Sequence, residues 1–151
     1  ATTTQSVPWV VRALAGLTWS ITTKTSLIVE YAYDGLGFGG SDYTNVVQYA
    51  RNRLDAGGSA PDVLDQFGSF QAAQHYAFAR LAENITDQLT AQGWIEVNLQ
   101  DPSAMDGIGL AVTNDGWGLS CSVTNTWGAS NTEAGASPFL WQLDVELKLF
   151  F

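Results

Sequence analysis

The sequence has a single cysteine, Cys121, so no disulfide bond can form within the chain. No apolar run approaches the roughly 20 residues that a membrane-spanning helix needs. Charged residues make up only 14% of the 151 residues, against about 25% in average soluble domains. The formal net charge of −9 argues against nucleic acid as a partner. A disulfide scaffold, a helical membrane protein and a nucleic-acid binder are therefore disfavoured.

Aromatic residues recur at a fixed interval around stretches in which every second residue is apolar. Three pairs are each ten residues apart: Trp9 and Trp19, Trp117 and Trp127, Trp141 and Phe151. Ten strand residues, about 33 Å long and tilted by about 40°, rise by about 25 Å. That is the height of the apolar band between the aromatic girdles of an outer-membrane barrel. The pattern predicts strands that cross a bilayer, with Tyr31 and Tyr33 as further interface aromatics.

The clearest alternation lies in residues 139–151, where apolar side chains occupy every second position through to Phe151. The other face carries Gln142, Asp144, Glu146 and Lys148. In a soluble sheet the apolar face would point into a core, whereas in a membrane barrel it faces lipid and the charged face lines the lumen. The stretch is long beside the usual 5–6 residues of a globular strand, which favours the barrel. Cys121 is expected on the lipid side as a small apolar residue.

The alternation predicts seven strands. They are expected at about 9–22, 25–34, 75–85, 88–100, around 108–112, 117–128 and 139–151. Tight turns are expected at 22–25, 86–88 and 114–116, and longer connections at 35–73, 100–104 and 128–138. Short turns at one end and long loops at the other are typical of the periplasmic and extracellular sides of such barrels.

The inward face is predicted from its charges. A lipid-facing arginine costs about 2–4 kcal/mol at the midplane, so Arg80 is assigned to the lumen together with Tyr76 and Phe78. The predicted lumen-lining charges are Arg12, Glu30, Arg80, Glu96, Asp144, Glu146 and Lys148. Their slightly acidic balance would make a water-filled lumen mildly cation-preferring. In a small barrel the same residues would instead form a packed, salt-bridged plug.

The long connection 35–73 is predicted to hold one or two short helices. Ser41 could cap a helix over about 42–54 that Gly57 and Gly58 would end, and a second would begin near 59–62. The loop would either fold into the lumen as a constriction or cover the barrel mouth.

Signals for catalysis or cofactor binding are weak. Residues 35–40 fit G-x-G-x-x-G, but the preceding strand alternates, whereas the first strand of a dinucleotide-binding fold is buried on both faces. The single histidine, His75, has no serine-rich motif beside it. The aspartates of the long loop match no calcium-binding spacing. We therefore expect no enzymatic activity, no cofactor and no metal.

Residues 9–151 resemble the C-terminal segment of bacterial outer-membrane porin-like barrels. The resemblance rests on Leu-Thr-Trp-Ser at 17–20, on the alternating stretches 27–33 and 75–81, and on the closing strand to Phe151. A closing strand that ends on an aromatic residue resembles the signal read by the barrel assembly machinery. The resemblance implies an all-β, antiparallel transmembrane barrel in the outer membrane of a Gram-negative bacterium, acting as a passive pore for ions or small solutes.

The odd number of strands departs from that family, whose bacterial single-chain members have even numbers. Because a lipid-exposed sheet edge cannot remain open, we expect residues 1–151 to form one β domain of a larger barrel. A second polypeptide or further copies would complete it. Two alternatives remain: a structural barrel that sheathes or anchors a partner protein, and a soluble β carbohydrate-binding module suggested by the six tryptophans.

Overall fold

A computed structural model describes residues 10–58, 73–129, 131–136 and 139–150. Seven antiparallel strands form one sheet in which each strand pairs with the next along the chain. They are β1 (Arg12–Ser20), β2 (Thr25–Asp34), β3 (His75–Asn84), β4 (Leu89–Asn98), β5 (Ser103–Thr113), β6 (Trp117–Trp127) and β7 (Trp141–Leu149). The all-β class and the seven antiparallel strands are confirmed. Trp9, Phe151 and the helix expected near 59–62 lie outside the described residues.

The register places the alternating residues on two chemically different faces. Directly paired residues of an antiparallel sheet share a face, as do alternate residues along a strand. From β1 to β7, the apolar face includes Leu17, Val29, Ala79, Ile95, Leu110, Cys121 and Val145. The polar face includes Gly16, Glu30, Phe78, Glu96, Met105, Thr126 and Gln142. The faces predicted from the alternation agree with this register.

Threonine side chains help to end the strands at two of the tight turns. The Thr22 hydroxyl accepts the backbone N–H groups of Lys24 and Thr25 at 3.1 and 2.9 Å, and β1 stops at Ser20, before the predicted end. The Thr86 hydroxyl accepts those of Gln88 and Leu89 in the same way, at 3.2 and 3.0 Å. Alternation in the sequence therefore runs past the last paired residue.

The connections sort into two ends of the sheet. The turn end holds the tight turns at 21–24, 85–88 and 114–116, and the loop end holds the connections 35–74, 99–102 and 128–140. The connections 35–74 and 128–140 are longer than the turns, as predicted, whereas 99–102 has four residues, as many as the turns 21–24 and 85–88. Strand β5 begins earlier than expected, at Ser103, whose N–H bonds the Asp101 carbonyl at 2.9 Å, so the loop before it is shorter than predicted.

Helix α1 (Gly40–Asp55) lies in the described part of the first long connection. Tyr43, Val47 and Ala50 are buried along one side of it. Tyr43 and Val47 pack against Tyr76 of the polar face and against Ala73, with Ala32 beside them. The helix therefore lies on the polar side of the sheet, near the loop end.

The predicted start of this helix is wrong. Ser41 lies inside α1, the N-cap is Gly39, and no side chain caps the helix. Gly39 and Gly40 bring the chain into the helix, and Gly40 has a φ of +54°, a conformation that favours glycine. The predicted stop is confirmed, since α1 ends at Asp55 and Gly57 follows with a φ of +81°.

The two outer strands, β1 and β7, have no strand on their outer sides among the described residues. Every residue of both strands is exposed. Because seven strands alternate in direction, β1 and β7 run the same way, from the loop end to the turn end.

An aromatic ring covers a glycine on the polar face. A methyl group at Gly107 of β5 would lie 2.7 Å from Cε2 and Nε1 of Trp94 in the neighbouring strand. We expect Gly107→Ala to displace the indole ring and to lower the free energy of unfolding by about 1–3 kcal/mol. Urea unfolding, followed by tryptophan fluorescence, measures this change.

Gly93→Ala is the matched control, because it lies in the strand that carries Trp94 and a methyl group there would have its nearest neighbour at 3.8 Å. Equal destabilisation by the two substitutions would show that the close contact between Gly107 and the Trp94 ring does not determine the effect of Gly107→Ala.

Candidate functional site

All seven charges predicted to line a lumen lie on the polar face. They fall into three groups. Glu30 and Glu96 pair in register with Phe78 from its two sides, and Arg80 lies one step further towards the turn end. This central group comes from β2, β3 and β4, which are adjacent in the sheet.

The other charges lie at the two edges of the sheet. Arg12 of β1 forms an ion pair with Asp34 at 2.9 Å, near the loop end. Lys148 of β7 forms one with Glu146 at 3.0 Å, and the amide of Gln142 bonds Asp144 at 2.8 Å. The structure therefore does not bring the β1 and β7 charges near the central group within this sheet.

Two aromatic rings occupy the middle of the polar face. Phe78 and Trp94 stack with ring centroids 6.3 Å apart and planes inclined by 29°. Arg80 is directly paired with Trp94, and its Nε is buried with no hydrogen-bond acceptor among the described residues. The central group thus combines two carboxylates, one guanidinium and two stacked rings.

A polar network attaches the loops to the sheet at the loop end. The Tyr43 hydroxyl of α1 donates to the Asp101 carboxylate, which also accepts the N–H of Glu133 at 2.7 Å. The Asn98 amide donates to the Tyr43 hydroxyl at 2.7 Å and to the Glu133 carboxylate at 2.6 Å. The Tyr76 hydroxyl donates to Glu133 at 2.8 Å. Burial, with the Asp101 carboxylate beside it, raises the pKa of the Tyr43 phenol and keeps it protonated as a donor.

Sequence reasoning missed this network. Its bonds join residues 32 to 58 positions apart, and no local pattern links them. Tyr43 falls inside the predicted helix over about 42–54 and Asp101 inside the predicted connection 100–104, and neither prediction links the two residues. Helix α1 packs on the polar face of the sheet. Of the two alternatives for the long connection, this packing favours the one in which the connection folds onto the inward face.

The apolar face has aromatic residues at both of its ends. Tyr31, Tyr33, Trp127 and Trp141 lie towards the loop end, and Trp19 and Trp117 towards the turn end. The predicted partners Trp9 and Phe151 fall outside the described residues, but Trp117 and Trp127 lie at opposite ends of β6, as predicted.

The apolar face carries few charges. Asp106 of β5 accepts the indole N–H of Trp127 at 2.8 Å. Glu83, at the turn end, accepts the Thr25 hydroxyl. Away from the ends, Asp106 is the one charged residue of this face among the described strands. It pairs with Ile95, in the row that passes through Ala79 and Val29 at the middle of β3 and β2.

His75 lies at the loop end of the apolar face. Its Nδ1 is 2.6 Å from the Tyr31 hydroxyl, and its ring packs between those of Tyr31 and Tyr33. The Tyr31 hydroxyl and the two neighbouring rings hold the imidazole in place at this end of the face. Within the described ranges, no three histidine, cysteine or acidic side chains are placed to hold a metal ion.

Protein families, curated proteins and solved structures were compared with this chain, and none of them matches. In the part of the chain that the structure describes, no helix has the length and apolar character needed to cross a membrane. The chemistry of the two faces therefore carries the functional interpretation.

We expect Tyr43→Phe to loosen the attachment of α1, because Asp101 and Asn98 each lose a buried hydrogen-bond partner at a cost of about 1–3 kcal/mol. Trypsin should then cleave faster after Arg51 and Arg53, which lie in α1. Timed proteolysis followed by mass spectrometry measures both cuts.

Tyr49→Phe is the control, because Tyr49 is an exposed residue of the same helix. A cleavage rate for Tyr43→Phe equal to that of Tyr49→Phe would contradict the anchoring role of the network.

Proposed function

We propose that this chain is part of a transmembrane β-barrel in a bacterial outer membrane and that the barrel is a passive, mildly cation-preferring conduit. The apolar face carries the proposal. Leu17, Ile108 and Val145, in three different strands, are 64–69% exposed, and no second layer of the described chain covers them. Soluble monomers rarely expose an apolar patch of more than a few hundred Å².

The dimensions of the strands support the same proposal. All seven are 9–11 residues long, the length that crosses the hydrocarbon core when a strand is tilted. The middle of the apolar face, where Asp106 is the one charged residue among the described strands and is bonded to Trp127, then meets the lipid tails. The aromatic ends meet the headgroups, where tyrosine and tryptophan are favoured. A lipid bilayer is the partner that this combination fits.

The polar face supports a conduit. It carries acidic side chains in excess of basic ones, and charged rings of one sign select ions of the other. Helix α1 lies on this face, so the passage would be narrowest near the loop end, beside Tyr76. The conduit would act by diffusion, without enzymatic chemistry or a cofactor.

The free edges require a partner. In lipid, an unpaired strand edge leaves backbone groups without hydrogen bonds, at several kcal/mol for each group. Because β1 and β7 run in the same direction, joining them to each other would make a parallel seam. An odd number of strands from another segment or polypeptide would give antiparallel seams at both edges, whereas further copies of this chain in the same orientation would give parallel ones.

Two other functions compete with the conduit. The α1 anchor, which fills part of the polar side, favours a structural barrel that sheathes or anchors a partner protein. The stacked Phe78 and Trp94 rings would suit a soluble carbohydrate-binding module.

Two neighbouring residues of β6 that point to opposite faces test the membrane proposal. Val123→Arg places a charge on the apolar face, where it should cost about 2–4 kcal/mol in lipid and reduce insertion into vesicles. Thr124→Arg places the same charge on the polar face, so insertion should be normal and the reversal potential in planar bilayers should shift towards anions.

The contrary outcomes point to the competing functions. Normal insertion with no conductance would favour the sheath, and a monodisperse protein in plain buffer without detergent would favour the soluble module. Loss of insertion in both variants would contradict the assignment of the two faces.

If the edges are completed in the membrane, the outward-facing backbone amides of β1 and β7 should resist hydrogen exchange as strongly as those of β4. Exchange in lipid nanodiscs, read by mass spectrometry, measures this protection. Disulfide cross-linking of Leu17→Cys to Val145→Cys, with Cys121→Ser as background, then distinguishes the partners. Cross-linked dimers indicate further copies, protection without them indicates a different segment, and rapid exchange in both strands would contradict completion.

A further inference from the structure

A cavity of about 220 Å³ lies on the polar face beside the anchored end of α1. Its walls are Leu14, Glu30, Ala32, Tyr76, Phe78 and Glu96. Tyr76 is 4% exposed and is fixed by Glu133, so this wall of the cavity is rigid. Drug-sized ligands occupy sites of about 300–1,000 Å³, so this one suits a smaller guest.

The charge of the cavity favours a cation. Glu30 and Glu96 reach it from β2 and β4, on either side of Phe78. None of the ion pairs within the described residues supplies a basic partner to Glu30. With Arg80 one step further along β3, the central group carries two carboxylates against one guanidinium, so its net charge is negative and attracts a cation.

The aromatic walls favour an organic cation. Phe78 offers a ring between the two carboxylates, and stacking on Trp94 holds that ring in place. Trp94 is in turn seated over Gly107. A cation over an aromatic face gains about 0.5–2 kcal/mol, with most of the gain where water is excluded.

An inorganic ion fits less well. Calcium takes 6–8 oxygen ligands, whereas the side chains that line this cavity provide two carboxylates and a phenol against two aliphatic residues and a phenyl ring. Methyl groups on a nitrogen can contact those apolar walls, and a strongly hydrated metal ion cannot.

We propose that this cavity is a binding site for small alkylammonium ions and that it selects them for passage through the conduit. The selectivity rests on the proposed function, whereas the binding can be measured without it. Glu30 and Glu96 supply the charge, and Phe78 supplies the aromatic face.

Calorimetry on the protein extracted in detergent with its native assembly intact tests the binding. Choline and 3,3-dimethylbutan-1-ol have nearly the same shape and differ in charge. Choline should bind at least tenfold more tightly, which corresponds to about 1.4 kcal/mol. Equal affinities would overturn the proposal.

Variants locate the binding. Glu30→Gln and Glu96→Gln should each weaken choline binding by about tenfold or more, and Phe78→Leu by about three- to tenfold. Asp115→Asn, in the turn before β6, makes the same change of charge away from the cavity and should leave the affinity unchanged. A loss with Asp115→Asn as large as with Glu30→Gln would overturn the proposal, because it would show a general effect of net charge.

Conductance separates this inference from the proposed function. Choline should reduce the potassium current through the wild-type protein, and Glu30→Gln should relieve that block. A silent bilayer with intact, charge-dependent choline binding would overturn the conduit and support the site. A conducting protein that neither binds choline nor is blocked by it would overturn the site and leave the conduit standing.

Discussion

The antiparallel register of the backbone is the constraint on which the rest of the structure depends. Because side chains alternate, a slip of one residue between two strands would carry the apolar set of one strand to the polar face. The register instead continues apolar residues across the sheet, as where Cys121 pairs with Leu110 on one side and Val145 on the other. One continuous apolar surface and one continuous polar surface follow from it.

Each face then takes a different physical role. The apolar face has small residues such as Ala79 and Gly93 beside larger ones such as Ile95, and no layer of the described chain packs against it. The polar face does need a fit. There a helix, two stacked rings and a hydrogen-bonded network are held at fixed positions, and the open cavity lies among them.

Much of the sheet could be predicted from the sequence, because a strand with two different faces shows its period in its residues. The position of Arg80 followed from the cost of placing a charge in lipid, and the tight turns followed from short gaps between alternating stretches. The limits of the strands were less predictable. Pairing stops where a side chain such as Thr22 binds the turn backbone, and alternation alone does not show that point.

The contacts of the loops could not be predicted. Tyr43 reads as one more apolar residue in a helical pattern until the fold brings Asp101 to its hydroxyl. The cavity has the same origin, since Glu30 and Glu96 are 66 positions apart and meet only through β3. Ser41 was misleading for a different reason. Gly39 and Gly40 turn the chain into the helix before Ser41 is reached, so Ser41 lies inside α1 and does not cap it.

The pairing of each strand with its neighbour in sequence has a consequence for how the chain folds. Closing a short turn costs little entropy, so hairpins such as β5–β6 can form early and locally. Each new outer strand then serves as the template for the next, and the sheet can widen by one strand at a time. The bonds of α1 are different, since Tyr43 must find Asp101, which in turn holds Glu133 from the last long connection. The sheet can therefore be nearly complete before α1 docks on its polar face.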